Sequence, residues 1–384
     1  MQIPNLTPWD TGATGLRLAL VSCANGFGHL KRLIRILNQL IDEVPLRRVT
    51  LFCNARTLEE IWSWREYRRI RERFPVEIVD AHLPVRWNLN PEYYGEWLLD
   101  WHRTIRSWNL EDFDYVLSDN LVEPLLYSER VTLCGSFLWH DVLSEAFPDN
   151  KFIARYSSWC KDLLAAAPPH MIANRYFVTP AVLEQANVHQ VGLVPFCEAR
   201  RAGRTNNLPR RVLIALGRAQ SANGITDLLG RAASQMIANG MEVFAAEAIF
   251  QTLQTKCPGI QFRSFGDDSL ETIDLAVIRG GLGTISDCIA SKVPMLYVDD
   301  SSPEIRYNQK RLNEMGVAAP FEGFLNGDAE ILTSPFVYKR TISMMNGFDL
   351  EGHLEAGDIL AGLWNVPISP TNFSLSPPTL SESR

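Results

Sequence analysis

"IDLAVIRGGLGTISDCIASKVPMLYVDD", residues 273–300, reads as strand, glycine turn, helix and strand in quick succession. "IDLAVI" is a short apolar run ended by Arg279-Gly280-Gly281-Leu282-Gly283-Thr284. A helical stretch follows, and "PMLYVDD" at 294–300 is the next strand. Two apolar strands joined by one helix predict a parallel pair, buried on both faces. Upstream, "VLIAL" at 212–216, "MEVFAA" at 241–246 and "IQFRSF" at 260–265 extend the same sheet.

Going further back, "CEARRAGRTNNLP" at 197–209 is polar, carries Gly, Asn and Pro, and interrupts the pattern as a linker would. Before it the alternation recurs, with strand-like runs at Leu16–Ser22, Val49–Cys53, Val76–Val79, Tyr115–Ser118 and Val131–Cys134. Leu30, Leu33, Ile34, Leu37, Leu40 and Ile41 fall on one helical stripe. The chain therefore predicts an α/β fold of two Rossmann-like domains. One occupies 1–197, a linker 198–209, and the second 210–349, with a closing helix at 350–366. The Ser/Pro-rich tail 367–384 predicts disorder.

A net charge of −7 argues against a general nucleic-acid binder. The seven cysteines are scattered and form no C-x-x-C pair, so they read as reduced core thiols of a cytoplasmic protein. No apolar run is long enough to span a bilayer, and the first residues lack a signal-peptide layout.

At the turn after Ile278, glycines let the backbone approach a ligand closely. The unpaired N–H groups and dipole at the helix start favour an anion, commonly a phosphate. Thr284 caps that helix or donates its hydroxyl to the phosphate. A tight strand–helix connection with an ordinary cap accounts for the same residues. Over 265–318 the chain resembles the donor-binding half of GT-B glycosyltransferases, in particular the peptidoglycan N-acetylglucosaminyltransferase and the UDP-glycosyltransferases. Gly280, Gly281, Thr284, Asp287, Pro294, Glu304 and Asn308 carry the resemblance, followed by "RLNEMGVA". It implies that Gly281, Gly283 and Thr284 face a diphosphate, Asp287 a ribose and Glu304 the donor sugar. Asn308 belongs to the same donor set. The family's Glu is here Asp287, and the Gln that follows the sugar-contacting acid is here Ile305. Arg279 either reaches the phosphates or pairs with an acid, and Gly217 borders the diphosphate.

The first domain opens with "CANGFGHLKR" at 23–32. Its G-x-G-H-x-x-R pattern is similar to archaeal and bacterial GT-B proteins, to the N-terminal part of plant arabinokinase and to the UDP-sugar hydrolase of pseudaminic acid synthesis. Gly26 and Gly28 keep the loop low beside an acceptor. His29 stands at a helix start, and Asp119 ends the run "FDYVLSD" at a strand's carboxyl edge, where open α/β sheets bind ligands. In inverting members of this fold a histidine removes the acceptor's proton while an aspartate orients it. His29 and Asp119 match those roles; Asp119 also reads as a strand-end cap. Glu123 and His140 line the cleft on this reading, and His140 equally fits a packed core histidine.

Six of the ten tryptophans lie in 62–108: Trp62, Trp64, Trp87, Trp97, Trp101 and Trp108, with five arginines in Arg65–Arg73. Extra core, an aromatic acceptor groove and a peripheral contact with the inner face of a membrane each fit this segment. The resemblance as a whole implies a GT-B fold, two domains facing across a cleft. It also implies metal-independent, inverting transfer from a nucleotide-diphosphate sugar, UDP favoured, to a small-molecule or lipid hydroxyl. That sugar is a co-substrate, and no cofactor is expected. A nucleotide-sugar hydrolase and a non-catalytic nucleotide-binding relative remain as alternatives.

Overall fold

The computed structural model describes residues 15–25, 27–54, 64–81, 83–197, 207–217, 225–264, 270–326 and 330–364. They form two compact units, one up to Gly192 and resuming at Glu351, the other Leu193–Leu350. Gly26, Trp62, most of the predicted linker and the predicted tail lie outside the described residues.

The first unit holds a seven-stranded sheet. Its strands are β1 (Leu16–Val21), β2 (Leu46–Cys53), β3 (Val76–Asp80), β4 (Tyr115–Asp119), β5 (Val131–Cys134), β6 (His170–Asn174) and β7 (Asn187–Val191). Their order is β3-β2-β1-β4-β5-β6-β7, and every pairing is parallel. Parallel strands sandwiched between helices are apolar throughout, and β5 is buried at all four of its positions. The chain winds outward from β1 to β3, then returns to place β4 on the other side of β1. Loops after β1 and β4 therefore diverge at their carboxyl ends and leave a crevice there.

The helix Phe27–Glu43 follows β1 directly. Its predicted stripe is buried, with Leu30, Leu33 and Leu40 at 0% exposure. Each such leucine contributes about 2 kcal/mol of hydrophobic free energy. The predicted closing helix spans Gly352–Trp364 and packs on this first helix. Gly357 makes that approach feasible, because a Cβ there would stand 2.5 Å from Gln39 Cγ. Trp364 stacks on Tyr115 at 4.9 Å.

The tryptophan-rich segment fills core. Trp101 and Trp108 are buried, Trp108 stacks on Phe52 at 4.7 Å, and Trp87 stacks on Phe147 at 5.6 Å. The arginine helix Arg65–Arg73 is tied to the first helix, with Arg69 and Arg73 on Asp42 and Arg35 donating to Glu66 at 2.7 Å. Of the three readings, extra core accounts for the described tryptophans. No helix among the described residues is long and apolar enough to cross a membrane. All seven cysteines are buried, and none is joined in a disulfide.

The second unit has a six-stranded sheet of β8 (Arg211–Ala215), β9 (Glu242–Ala245), β10 (Gln261–Phe262), β11 (Leu275–Ile278), β12 (Met295–Tyr297) and β13 (Ala318–Pro320). Their order is β10-β9-β8-β11-β12-β13, and every pairing is parallel. The order again reverses at one place, between β8 and β11. Strands β6, β7 and β13 have no counterpart in the sequence reading. β13 is three residues long and β7 reads "NVHQV". Edge strands of this kind are short or polar because one side must not invite pairing.

Candidate active site

In the first unit, β1 and β4 are neighbours, and Val21 pairs with Ser118. That register sets the first turn of the helix Phe27–Glu43 beside Asp119, the last residue of β4. His29 Nδ1 lies 2.6 Å from Asp119 Oδ1. The predicted pair is therefore formed across 90 positions of sequence. Arg32, one turn after His29, joins it with Nε at 2.9 Å from Oδ2 and a terminal nitrogen at 2.8 Å from Oδ1. Cys134 Sγ approaches Oδ2 at 3.6 Å. Asp119 is completely buried. Burial acts to raise its pKa, but the charges and hydrogen bonds of Arg32 and His29 outweigh it and hold the carboxyl below its usual value.

Next to this cluster Asn120 turns the chain in the left-handed region at φ 56°. Its amide nitrogen reaches the carbonyls of Cys134 at 3.2 Å and Phe137 at 2.9 Å. Gly135 lies against it, and a Cβ there would come within 1.5 Å of the Asn120 amide, so no larger residue fits. Phe137 meets the His29 ring edge-on at 6.2 Å between centroids. About 10% of the His29 side chain reaches solvent. A Cβ on Gly28 would meet nothing within 4 Å, so the helix start beside His29 is open.

Of the two predicted cleft residues, Glu123 is a core residue instead, and His140 takes its packed-core reading. Glu123 is fully buried. Its Oε1 accepts from Tyr156 at 2.6 Å and Trp101 at 3.1 Å, and Oε2 has no partner. Burial pushes this carboxyl up to about 7 against those donors. His140 is 1% exposed, with Nε2 at 2.8 Å from Gln185 Oε1. Burial lowers its pKa, as in a packed core histidine.

In the second unit the glycine turn precedes the helix Leu282–Ala290, at the carboxyl edge where the strand order reverses. Its glycines differ in role. Gly280 adopts φ 115°, which strains any other residue. A Cβ on Gly283 would stand 2.8 Å from the Phe196 ring, so the missing side chain of this glycine admits Phe196. Gly281 is the open one, because a Cβ there would meet nothing within 4 Å. Thr284 is half-buried in the first turn of the helix, and Glu304 is half-buried in the first turn of Pro303–Glu314. Gly217 follows β8, exposed, at φ 68°.

On the donor side, the expectations for Asp287 and Asn308 are corrected, and of the two readings of Arg279 the acid pair is the one formed. Asp287 does not face a ribose. It is 5% exposed and accepts the backbone N–H groups of Phe196 at 2.6 Å and Cys197 at 3.0 Å. Arg279 pairs with Asp300, whose side chain is 1% exposed and whose Oδ1 also accepts from Ser302 N at 2.8 Å. Asn308 is buried and donates to the Gly280 carbonyl at 3.1 Å, while Gln309 holds the carbonyls of Arg279 and Val298, both at 2.7 Å. These side chains brace the turn from behind, leaving Gly281 and the first N–H groups of the helix at its open side. In the sequence, Arg32 stood only as the last residue of the G-x-G-H-x-x-R motif, without a role, and Asp300 and Gln309 were not singled out. Arg32 alone carried a signal, its three-residue spacing from His29 on one helix face.

No family model matches the chain. It is 28% identical over 160 residues to the UDP-N-acetylglucosamine–N-acetylmuramyl-(pentapeptide) pyrophosphoryl-undecaprenol N-acetylglucosamine transferase of Mycolicibacterium vanbaalenii. It is 26% identical over the same length to the enzyme of that name from Mycobacterium sp. strain KMS. The match takes in 40% of this chain, which spans about two fifths of the length of these curated relatives, 39% and 42%. Among solved structures, the glycotransferase of kitacinnamycin superposes with a TM-score of 0.59 at 16% identity, over 91% of this chain and 99% of that one. The Phytolacca americana UGT2 superposes with a TM-score of 0.60 at 11% identity, over 91% and 100%. The calicheamicin glycosyltransferase CalG4 gives 0.57 at 14% identity, over 91% and 98%. Two parallel sheets, each with one reversal of strand order, thus make up a chain with the GT-B fold of the glycosyltransferases.

Proposed function

We propose that the protein is a glycosyltransferase that moves a sugar from a nucleotide-diphosphate sugar to an acceptor hydroxyl with inversion. The observation that carries this reading is His29 on the buried carboxylate of Asp119, at the strand-order reversal of the first sheet. With Nδ1 turned to Asp119, Nε2 is the nitrogen left to take a proton. An acceptor hydroxyl needs such a base because its own pKa lies far above neutrality. The departing diphosphate is met by the N–H groups and dipole of the helix Leu282–Ala290, beside Gly281 and Thr284, in place of a cation. UDP is the favoured nucleotide because the partial relatives named above carry it in their names, and the acceptor is a small molecule or a lipid. Asp287 and Arg279 have other duties, so ribose recognition falls to other groups, while Glu304 remains the sugar-side carboxylate.

The deciding experiment is mass spectrometry of UDP-, dTDP- and GDP-sugars incubated with the protein, with and without a cell extract as acceptor source. Acceptor-dependent release of nucleoside diphosphate, insensitive to EDTA, is the expected result. In His29→Ala it falls by about 10²- to 10⁴-fold. Release without acceptor would make the protein a hydrolase of the same fold. Binding without any release would remove the base role from His29.

Gly281 separates binding from folding. Its φ of −68° is ordinary and its side-chain direction is open. Gly281→Ala therefore leaves the melting temperature within the usual range of a neutral surface change. The same methyl group obstructs close approach of a diphosphate, so UDP affinity measured by calorimetry falls about tenfold. Unchanged affinity would move the phosphate site away from this turn.

A further inference from the structure

The motif G-x-G-H-x-x-R ends in an arginine that the proposed reaction has not yet used. We infer that Arg32 is a positioning residue: its two-point hold on Asp119 fixes the proton of His29 on Nδ1 and leaves Nε2 unprotonated. This rests on the reading of His29 as the base.

A carboxylate has about four acceptor positions. Those of Asp119 meet Arg32 Nε at 2.9 Å, an Arg32 terminal nitrogen at 2.8 Å, His29 Nδ1 at 2.6 Å and Cys134 Sγ at 3.6 Å. Arg32 is donor-only, so a protonated Asp119 would have to present its O–H away from the guanidinium. The Arg32 charge and its two contacts favour the ionised carboxylate, in line with the lowered pKa of Asp119. At 2.6 Å, an ionised Oδ1 and a lone pair on Nδ1 would repel, and the Arg32 terminal nitrogen 3.3 Å from Nδ1 is already bound to Oδ1 at 2.8 Å, so the proton between Oδ1 and Nδ1 belongs to Nδ1. Asn120 agrees independently. With its nitrogen on the carbonyls of Cys134 and Phe137, its oxygen is the atom 3.4 Å from Nδ1, an acceptor toward a donor. Without Arg32, the pair can take up one further proton from solvent: Asp119 is then protonated and donates to Nδ1, and the ring carries its own proton on Nε2, where it blocks the base.

The experiment is nitrogen-15 NMR of the full chain labelled at histidine, with the His29 signals assigned by their loss in His29→Ala. In the neutral ring of the unaltered protein, followed across a pH series, Nδ1 is expected to be protonated and Nε2 bare. In Arg32→Met the Nδ1–H form gives way to other protonation states, and donor turnover falls by on the order of 100-fold in kcat with KM little changed. Arg32→Lys keeps the charge without the two-point fork and should fall between the two. It also serves as the readout if Arg32→Met does not fold. An unaltered His29 spectrum in whichever of these variants folds would overturn the inference. A neutral ring with its proton on Nε2 in the unaltered protein would do the same. A bare Nε2 in a protein that turns over no donor would instead count against the glycosyltransferase reading and leave this one standing.

Discussion

Asp119→Asn lowers donor turnover by about 10³-fold and also lowers the stability of the first unit. The carboxamide keeps the shape of the carboxyl but must present an NH2 group to one side. On the Oδ1 side that group meets His29 Nδ1 and an Arg32 terminal nitrogen; on the Oδ2 side it meets Arg32 Nε and Cys134. Either way a donor faces a donor. If the NH2 points at His29, the ring must turn its lone pair inward and carry its proton on Nε2, where the acceptor hydroxyl needs a base. The histidine that survives in this variant is intact but wrongly protonated, so the loss approaches that of removing it. The change also leaves the Arg32 guanidinium, 15% exposed, beside a neutral group. Breaking a pair of this kind from one side costs about 3 kcal/mol. Chemical denaturation and the donor assay measure the two effects separately. A variant with full turnover would show that Asp119 serves the fold alone.

Glu123→Gln is expected to stabilise the first unit at high pH. Burial holds the Glu123 carboxyl at about 7, above its ordinary 4.5, although Tyr156 and Trp101 both donate to it. The folded chain therefore keeps a proton between roughly pH 4.5 and 7 that the unfolded chain has lost. Stability from this group is fully present below about pH 4.5 and is lost as pH rises through 7, in total about 3 kcal/mol. Gln carries no charge at any pH, and its oxygen can accept from Tyr156 and Trp101 as Oε1 does. Near pH 4.5 the two proteins should be about equally stable. Above about pH 8 the variant should exceed the parent by about 3 kcal/mol. Asp119 has the opposite sign, because its lowered pKa makes stability fall as pH drops through the acid range. The two windows do not overlap, so the difference between parent and variant isolates Glu123. Parallel stability curves from about pH 5 to 9 would mean that Glu123 is charged in the folded protein.

Much of the architecture was legible because it depends on local pattern. Apolar runs such as "VTLC" and "LAVI" appear where a strand is buried on both faces, and the stripe from Leu30 to Ile41 appears where one helix face is. The His29–Asp119 pair was legible for a related reason. Both residues sit at carboxyl ends of strands, and in a doubly wound sheet those ends at the strand-order reversal come together whatever the intervening chain does.

What each polar side chain binds was decided elsewhere. Asp287 lies where a ribose-binding carboxylate was expected, yet the backbone of Phe196 and Cys197, about 90 residues earlier, occupies it. Gly283 looks like a phosphate glycine, yet what its missing Cβ makes room for is the Phe196 ring. Arg279 faces Asp300, and Glu123 faces Tyr156 and Trp101. The sequence by itself determined the two sheets, their glycine turns and the histidine–aspartate pair, since periodicity and strand-end position are properties of a segment and its order in the chain. Only the tertiary structure decided which carboxylates and glycines stay open to a ligand. A buried polar group takes whichever partner packing brings within about 3 Å, and that partner comes from a distant part of the chain.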